Sequence, residues 1–281
     1  MKNIFALLLF LPFSLYAQNF SFDKKTGKAV PNFVAELKLM KGRALKTTGG
    51  RPRAVKVGEK FYAKDIIATE AESSMKLLVT DDTWLSLGPD SELVFTEFEY
   101  TDKTDRKISY ELKKGQLSAN VRQKINSGGV NFRSRFASMG VRGTKVMMNF
   151  RELKGSALAV TEYALVEGKA EVIDNKGETH ELNAGERIVV IEDQKNKSSQ
   201  LEKLNLTKDE LDSFTSPEAD EDKNINPFMP YYEPKAQTVS AVTPKEEKKA
   251  APVESTTSGQ GTFQNLEKLN DQLKENQKKR R

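Results

Sequence analysis

Ser74-Met75-Lys76-Leu77-Leu78-Val79-Thr80-Asp81-Asp82-Thr83-Trp84-Leu85-Ser86-Leu87-Gly88-Pro89-Asp90 decides the fold. Met75, Leu77 and Val79 recur at every second position, and so do Leu85 and Leu87. Asp81-Asp82 and Gly88-Pro89-Asp90 supply turn residues after each run. A period of two sends alternate side chains to opposite faces of an extended chain, so these runs read as half-buried strands joined by a hairpin.

The same rhythm extends in both directions. Phe33, Ala35, Leu37 and Leu39 alternate, and turns at Thr48-Gly49-Gly50, Ser127-Gly128-Gly129, Asn175-Lys176-Gly177 and Asn183-Ala184-Gly185 punctuate the chain. The pattern predicts an all-β domain over 33–192, as a two-sheet sandwich or a short solenoid-like β domain. That length is enough for one hydrophobic core.

An internal repeat runs through it. Leu39-Met40-Lys41-Gly42 is echoed by Leu112-Lys113-Lys114-Gly115 and by Leu165-Val166-Glu167-Gly168. The first and third copies continue to a Gly-Glu pair, Gly58-Glu59 and Gly185-Glu186, that opens another apolar run. A glycine recurring at one place in a strand marks a positive φ or a bulge, so Gly168 and Gly185 are read as structural.

The termini read differently. Lys2, an apolar run over 4–15 and Ala17 have the form of a signal peptide cleaved near Ala17, leaving 18–32 as a lead-in. The run is shorter than the roughly 20 residues of a membrane span, so no stable span is expected. Over 193–215 a short helical extension is expected, since Thr207-Lys208-Asp209-Glu210 forms a capping box with Leu211 and Phe214 on one face. Residues 216–262 are rich in Pro, Lys, Glu, Ser and Thr and read as a disordered linker. Within them Pro227-Phe228-Met229-Pro230-Tyr231-Tyr232 is either a docking motif or a tolerated apolar cluster. Over 263–281, Leu266, Leu269 and Leu273 give an amphipathic C-terminal helix, able to bind a second protein or self-associate, or else a frayed tail.

Residues suited to catalysis or metal binding are sparse. The chain has no cysteine, which excludes disulfides, thiolate metal sites and a cysteine nucleophile. His180 is the one histidine, so neither a zinc site nor a nucleophilic triad assembles from the usual ligands, and it reads as a surface residue. No catalytic residue, metal ligand or cofactor is assigned, and the chain is not expected to be an enzyme.

Charge is segregated. The formal net charge is +5, but much of the excess sits in 263–281, so no nucleic-acid footprint covers the whole chain. The segment 65–111 is strongly acidic, whereas Lys113, Lys114, Arg122, Lys124, Arg133, Arg135, Arg142, Lys145 and Arg151 follow with no acid among them. Either the two segments pair across the sheet, or Arg133, Arg135 and Lys145 form a cationic binding stripe for an anionic cell-wall polymer or an envelope protein.

The middle of the chain resembles the FecR-like domain. The resemblance rests on Val57-Gly58-Glu59, Asp65-Ile66-Ile67-Ala68-Thr69, the quoted strand pair, Val141-Arg142-Gly143-Thr144, Val166-Glu167-Gly168-Lys169-Ala170 and Ala184-Gly185-Glu186. It implies an exported bacterial envelope protein. Where such domains show Asp-Gly this chain has Asp81-Asp82, and the sigma-factor-binding segment and membrane helix of the iron-responsive regulators are not read here. Arg142 is expected to be partly buried against a carboxylate, with Gly143 letting the backbone pass closely. The expected function is an exported, non-enzymatic binding or scaffolding protein of the cell envelope, in the periplasm or beyond. The alternative is an extracytoplasmic sensor or regulatory component acting through a separate membrane protein, and an envelope hydrolase ranks third.

Overall fold

The computed structural model describes residues 20–22, 29–102, 104–124, 127–215, 224–225 and 227–234. The signal peptide, the rest of the linker and the C-terminal helix expected from the sequence lie outside them. In the lead-in, β1 (Phe20–Phe22) pairs antiparallel with β2 (Ala29–Pro31). The remaining seventeen strands form one continuous mixed sheet.

That sheet is folded into two layers. Sheet I runs β6 (Lys60–Phe61), β3 (Ala35–Lys41), β8 (Ser74–Val79), β9 (Trp84–Leu87), the second half of β11 (Asp105–Asn120), β14 (Lys145–Glu152), β15 (Leu158–Glu167), β18 (Glu186–Asp193) and β19 (Ser198–Asn205). Sheet II runs β5 (Arg51–Ala54), β4 (Ala44–Thr48), β7 (Ile66–Thr69), β10 (Glu92–Tyr100), the first half of β11, β12 (Ser127–Arg133), β13 (Ala137–Val141), β16 (Lys169–Asp174) and β17 (Thr179–Asn183). All these pairs are antiparallel except β11 with β12. The all-β expectation holds, as a two-layer sheet that does not close into a barrel.

The layers share one core, because the alternating apolar residues of both point inward. Phe61 of sheet I lies 6.5 Å from Phe95 of sheet II, ring to ring, and the Tyr163 hydroxyl of β15 donates to Ala137 O of β13 at 2.8 Å.

The repeated glycines are where the chain changes layer. It passes from sheet I to sheet II at Gly42 and Gly168, and from sheet II to sheet I inside β11 at Gly115, with φ of 74°, 88° and 94°. Opposite Gly42 and Gly115 stand Ser73 and Ser91, whose hydroxyls accept the next amides, Arg43 N and Gln116 N, at 2.9 Å each. Opposite Gly168 stands Thr144, in contact through its methyl group. Gly58 and Gly185 return the chain to sheet I, and their amides donate to Leu37 O and Leu165 O at 2.8 Å.

Two further expectations are settled by packing. The strand β19 occupies part of the segment read as a helical extension, because its half-buried residues complete the edge of sheet I beside β18. After it, α1 (Lys208–Thr215) begins with the expected capping box: Thr207 N donates to Glu210 Oε2 at 2.8 Å, and Glu210 N to Thr207 Oγ1 at 3.3 Å. Phe214 is buried against Met147, Ala164 and Val166 on the outer face of sheet I. Thr207→Ala removes one side of the box and is expected to lower the unfolding free energy by about 0.5–2 kcal/mol, read by urea denaturation.

Candidate functional site

The outer face of sheet II carries an open groove of about 970 Å³. Its floor is made by outward positions with little side chain, Gly129 and Asn131 on β12 and Gly140 on β13. Lys107 of β11 stands on one side, and Lys169 and Glu171 of β16 on the other. The Arg142-Gly143-Thr144 corner contributes to the lining.

Charge in the groove is partly spoken for. Lys107 Nζ lies 2.6 Å from Glu97, and Lys169 Nζ 3.2 Å from Glu181. Glu97 sits below the usual carboxylate range chiefly because Lys107 donates to it, with Ser109 and the charge of Arg133 adding to that effect against burial. Arg142 and Glu171 are exposed and have no ion-pair partner among the described residues. Among the described residues, the groove therefore offers Arg142 as a free cation and Glu171 as a free anion above a small, polar floor.

This corrects the expectation for Arg142. It is in phase with Gly140, outside the sheet, while Val141 and Met139 point into the core. The arginine held inside by a carboxylate is Arg106, whose Nε lies 2.5 Å from the equally buried Asp81 Oδ2. Asp81 also keeps its expected turn role, its Oδ1 accepting Thr83 N at 3.0 Å, while Asp82 takes a left-handed φ of 66°.

The expected cationic stripe does not assemble. Arg133 faces outward opposite Glu111, and Arg135, in the turn after β12, reaches Gln194 Oε1 at 3.1 Å and Glu152 at 3.8 Å. Lys145 is buried on the outer side of sheet I, where its Nζ donates to Phe214 O at the end of α1. The three residues thus stand at three separate places, on the outer face of sheet II, in the turn after β12 and on the outer side of sheet I.

His180 is half-buried, with Nε2 3.2 Å from Asp174 Oδ2. Asp174, Glu178 and His180 place potential metal-ligand atoms within 4.8 Å of one another. Asp174 Oδ1 already accepts the amides of Lys176 and Glu178 at 2.9 Å, which makes it a lock for the β16–β17 hairpin. Burial pushes its carboxyl up, but His180 and those amides outweigh burial and hold it below its ordinary range.

Residues 65–171 match the family model of the FecR protein. This segment is a FecR domain. The match to the FecR model starts just before β7 and ends in β16, inside the wider resemblance read from the sequence. Two crystal structures of a "putative anti-sigma factor" from Parabacteroides distasonis ATCC 8503, at 1.65 and 2.50 Å, are similar at 19% identity and a TM-score of 0.40. Each comparison covers 53% of this chain and 62% of the other. No curated protein matches the chain.

Proposed function

We propose that the FecR domain is the recognition unit of an exported, non-enzymatic protein with a regulatory or scaffolding role in the cell envelope, and that it takes a partner protein in the sheet II groove. The observation that carries this reading is the pair Arg142 and Glu171, exposed and without ion-pair partners among the described residues, beside the Gly129, Asn131 and Gly140 floor. A site with one free charge of each sign suits a protein surface better than a polyanion, which would meet Glu171 and Glu181. Export is supported by Lys2, the apolar run over 4–15 and Ala17.

Photocrosslinking from position 131 in intact envelopes tests the groove. The expected result is a discrete adduct that is lost in the Arg142→Gln/Glu171→Gln double variant, with the unfolding free energy within about 0.5 kcal/mol of the parent because both residues are exposed. An adduct unchanged by the double variant overturns the groove assignment. Mass spectrometry of the exported protein is expected to find Gln18 at its amino terminus, and an intact Met1 would overturn cleavage.

A further inference from the structure

The outer face of sheet I is covered by a short segment of the chain itself, residues 227–234, with Asn224 beside it. This segment contains the apolar island noted in the sequence. It crosses the strands. Lys76 of β8 donates to Asn224 O at 2.6 Å, Gln116 of β11 to Met229 O at 2.7 Å, and Asn149 of β14 to Met229 O at 3.1 Å. Arg151 donates to Tyr232 O at 2.6 Å, and Glu162 of β15 accepts Tyr232 N at 2.9 Å. The Tyr232 hydroxyl reaches Glu202 of β19 at 2.7 Å.

These contacts have the form of peptide recognition. The sheet side chains address main-chain carbonyls and an amide, which any extended peptide would present. Met229, 1% exposed, is buried among Met147, Ala164, Val166, Leu206 and Phe214, and Tyr232 packs against the cluster of Val160, Val189 and Ile191. Glu233 adds an ion pair to Arg151 at 2.9 Å.

A permanent cover would be expected to meet an apolar surface, since burying charge costs more than it returns unless every group is paired. Beside the apolar Met147, Ala164 and Val166, the covered face contains Lys76, Asn149 and Glu162, each at most 1% exposed. Glu162 Oε2 has the Arg187 guanidinium at 3.6 Å but accepts no hydrogen bond among the described residues, and Arg151 Nε donates none. Burial pushes the Glu162 carboxyl up despite the Tyr232 amide, Arg187, Asn149 and Arg151 around it.

We infer that this row is a receptor for an extended peptide of a partner protein, and that 227–234 is its resident intramolecular ligand. The partner segment carries a methionine-sized apolar residue followed within a few positions by an aromatic residue and an acid, the pattern of Met229, Tyr232 and Glu233. Binding requires that the resident segment leave, so the apparent affinity is reduced by the fraction of molecules in which it is docked.

A fluorescein-labelled peptide with the sequence of residues 224–234, titrated by anisotropy into the full chain, tests this. Met229→Ala and Met229→Asp in the chain weaken the resident segment, so the peptide is expected to bind both at least about tenfold more tightly than it binds the parent. A peptide with aspartate in place of its methionine is expected not to bind, and Asn149→Leu in the Met229→Ala chain is expected to weaken binding. Variants that keep the strand-type circular dichroism of the parent yet bind no better than it overturn the inference. Loss of that spectrum in both variants also overturns it, since the segment would then be an integral part of the fold.

Discussion

Gly115→Ala is expected to lower the unfolding free energy by about 3–5 kcal/mol, the largest effect of any single methyl group added to this sheet. Gly115 sits at φ 94°, where β11 leaves sheet II for sheet I, and an added Cβ would lie 2.5 Å from Ser91 Cα and 2.2 Å from Ser91 Oγ. The left-handed backbone accounts for about 1–2 kcal/mol of the effect. The rest comes from pushing the Ser91 backbone away, which also strains the bond from Gln116 N to Ser91 Oγ. Gly177→Ala is the control, because Gly177 has φ 82° and nothing within 4 Å of its added Cβ. It is expected to cost only the backbone share. Urea denaturation of the two variants reads the difference directly, and equal losses would show that the corner opens freely and that close approach is not what requires glycine there.

The strands were legible in the sequence because one face of each meets the core, which imposes the period of two on Met75, Leu77 and Val79 and on Leu85 and Leu87. The corner glycines were legible as a repeat. What they do was not, since a change of layer depends on which strands pair, and pairing is not local. The same alternation held a signal for the buried arginine: Arg106 is in phase with Ile108, Tyr110 and Leu112, all buried, whereas Arg142 is in phase with Gly140 outside. Lys145 escaped that logic. It lies on the outward phase of β14 with Met147 and Asn149, but α1 and residues 227–234 cover that face, so both sides of β14 are buried and alternation no longer separates inside from outside.

Asp81→Asn is expected to destabilise the domain by about 3–5 kcal/mol, because it leaves the Arg106 guanidinium buried without its counter-charge. Asn keeps an oxygen to accept Thr83 N, so the turn between β8 and β9 is preserved and the loss reports on the ion pair. The pair joins sheet I to sheet II: Asp81 lies in the hairpin of one layer, and Arg106 begins the sheet II half of β11, with its guanidinium also donating to Gln123 O at 3.2 Å. Arg106→Met removes the charge that needs a partner and is expected to cost less than Arg106→Ala, which would leave a cavity as well. In a double-mutant cycle, Asp81→Asn with Arg106→Met should therefore be less destabilising than the sum of the single changes, by about 0.5–3 kcal/mol. The coupling should change little between low and high salt, because both side chains are 0% exposed and buried pairs are weakly screened. A single-variant loss below about 1 kcal/mol that shrinks further in salt would place the pair among surface salt bridges and show that water reaches this end of the two layers.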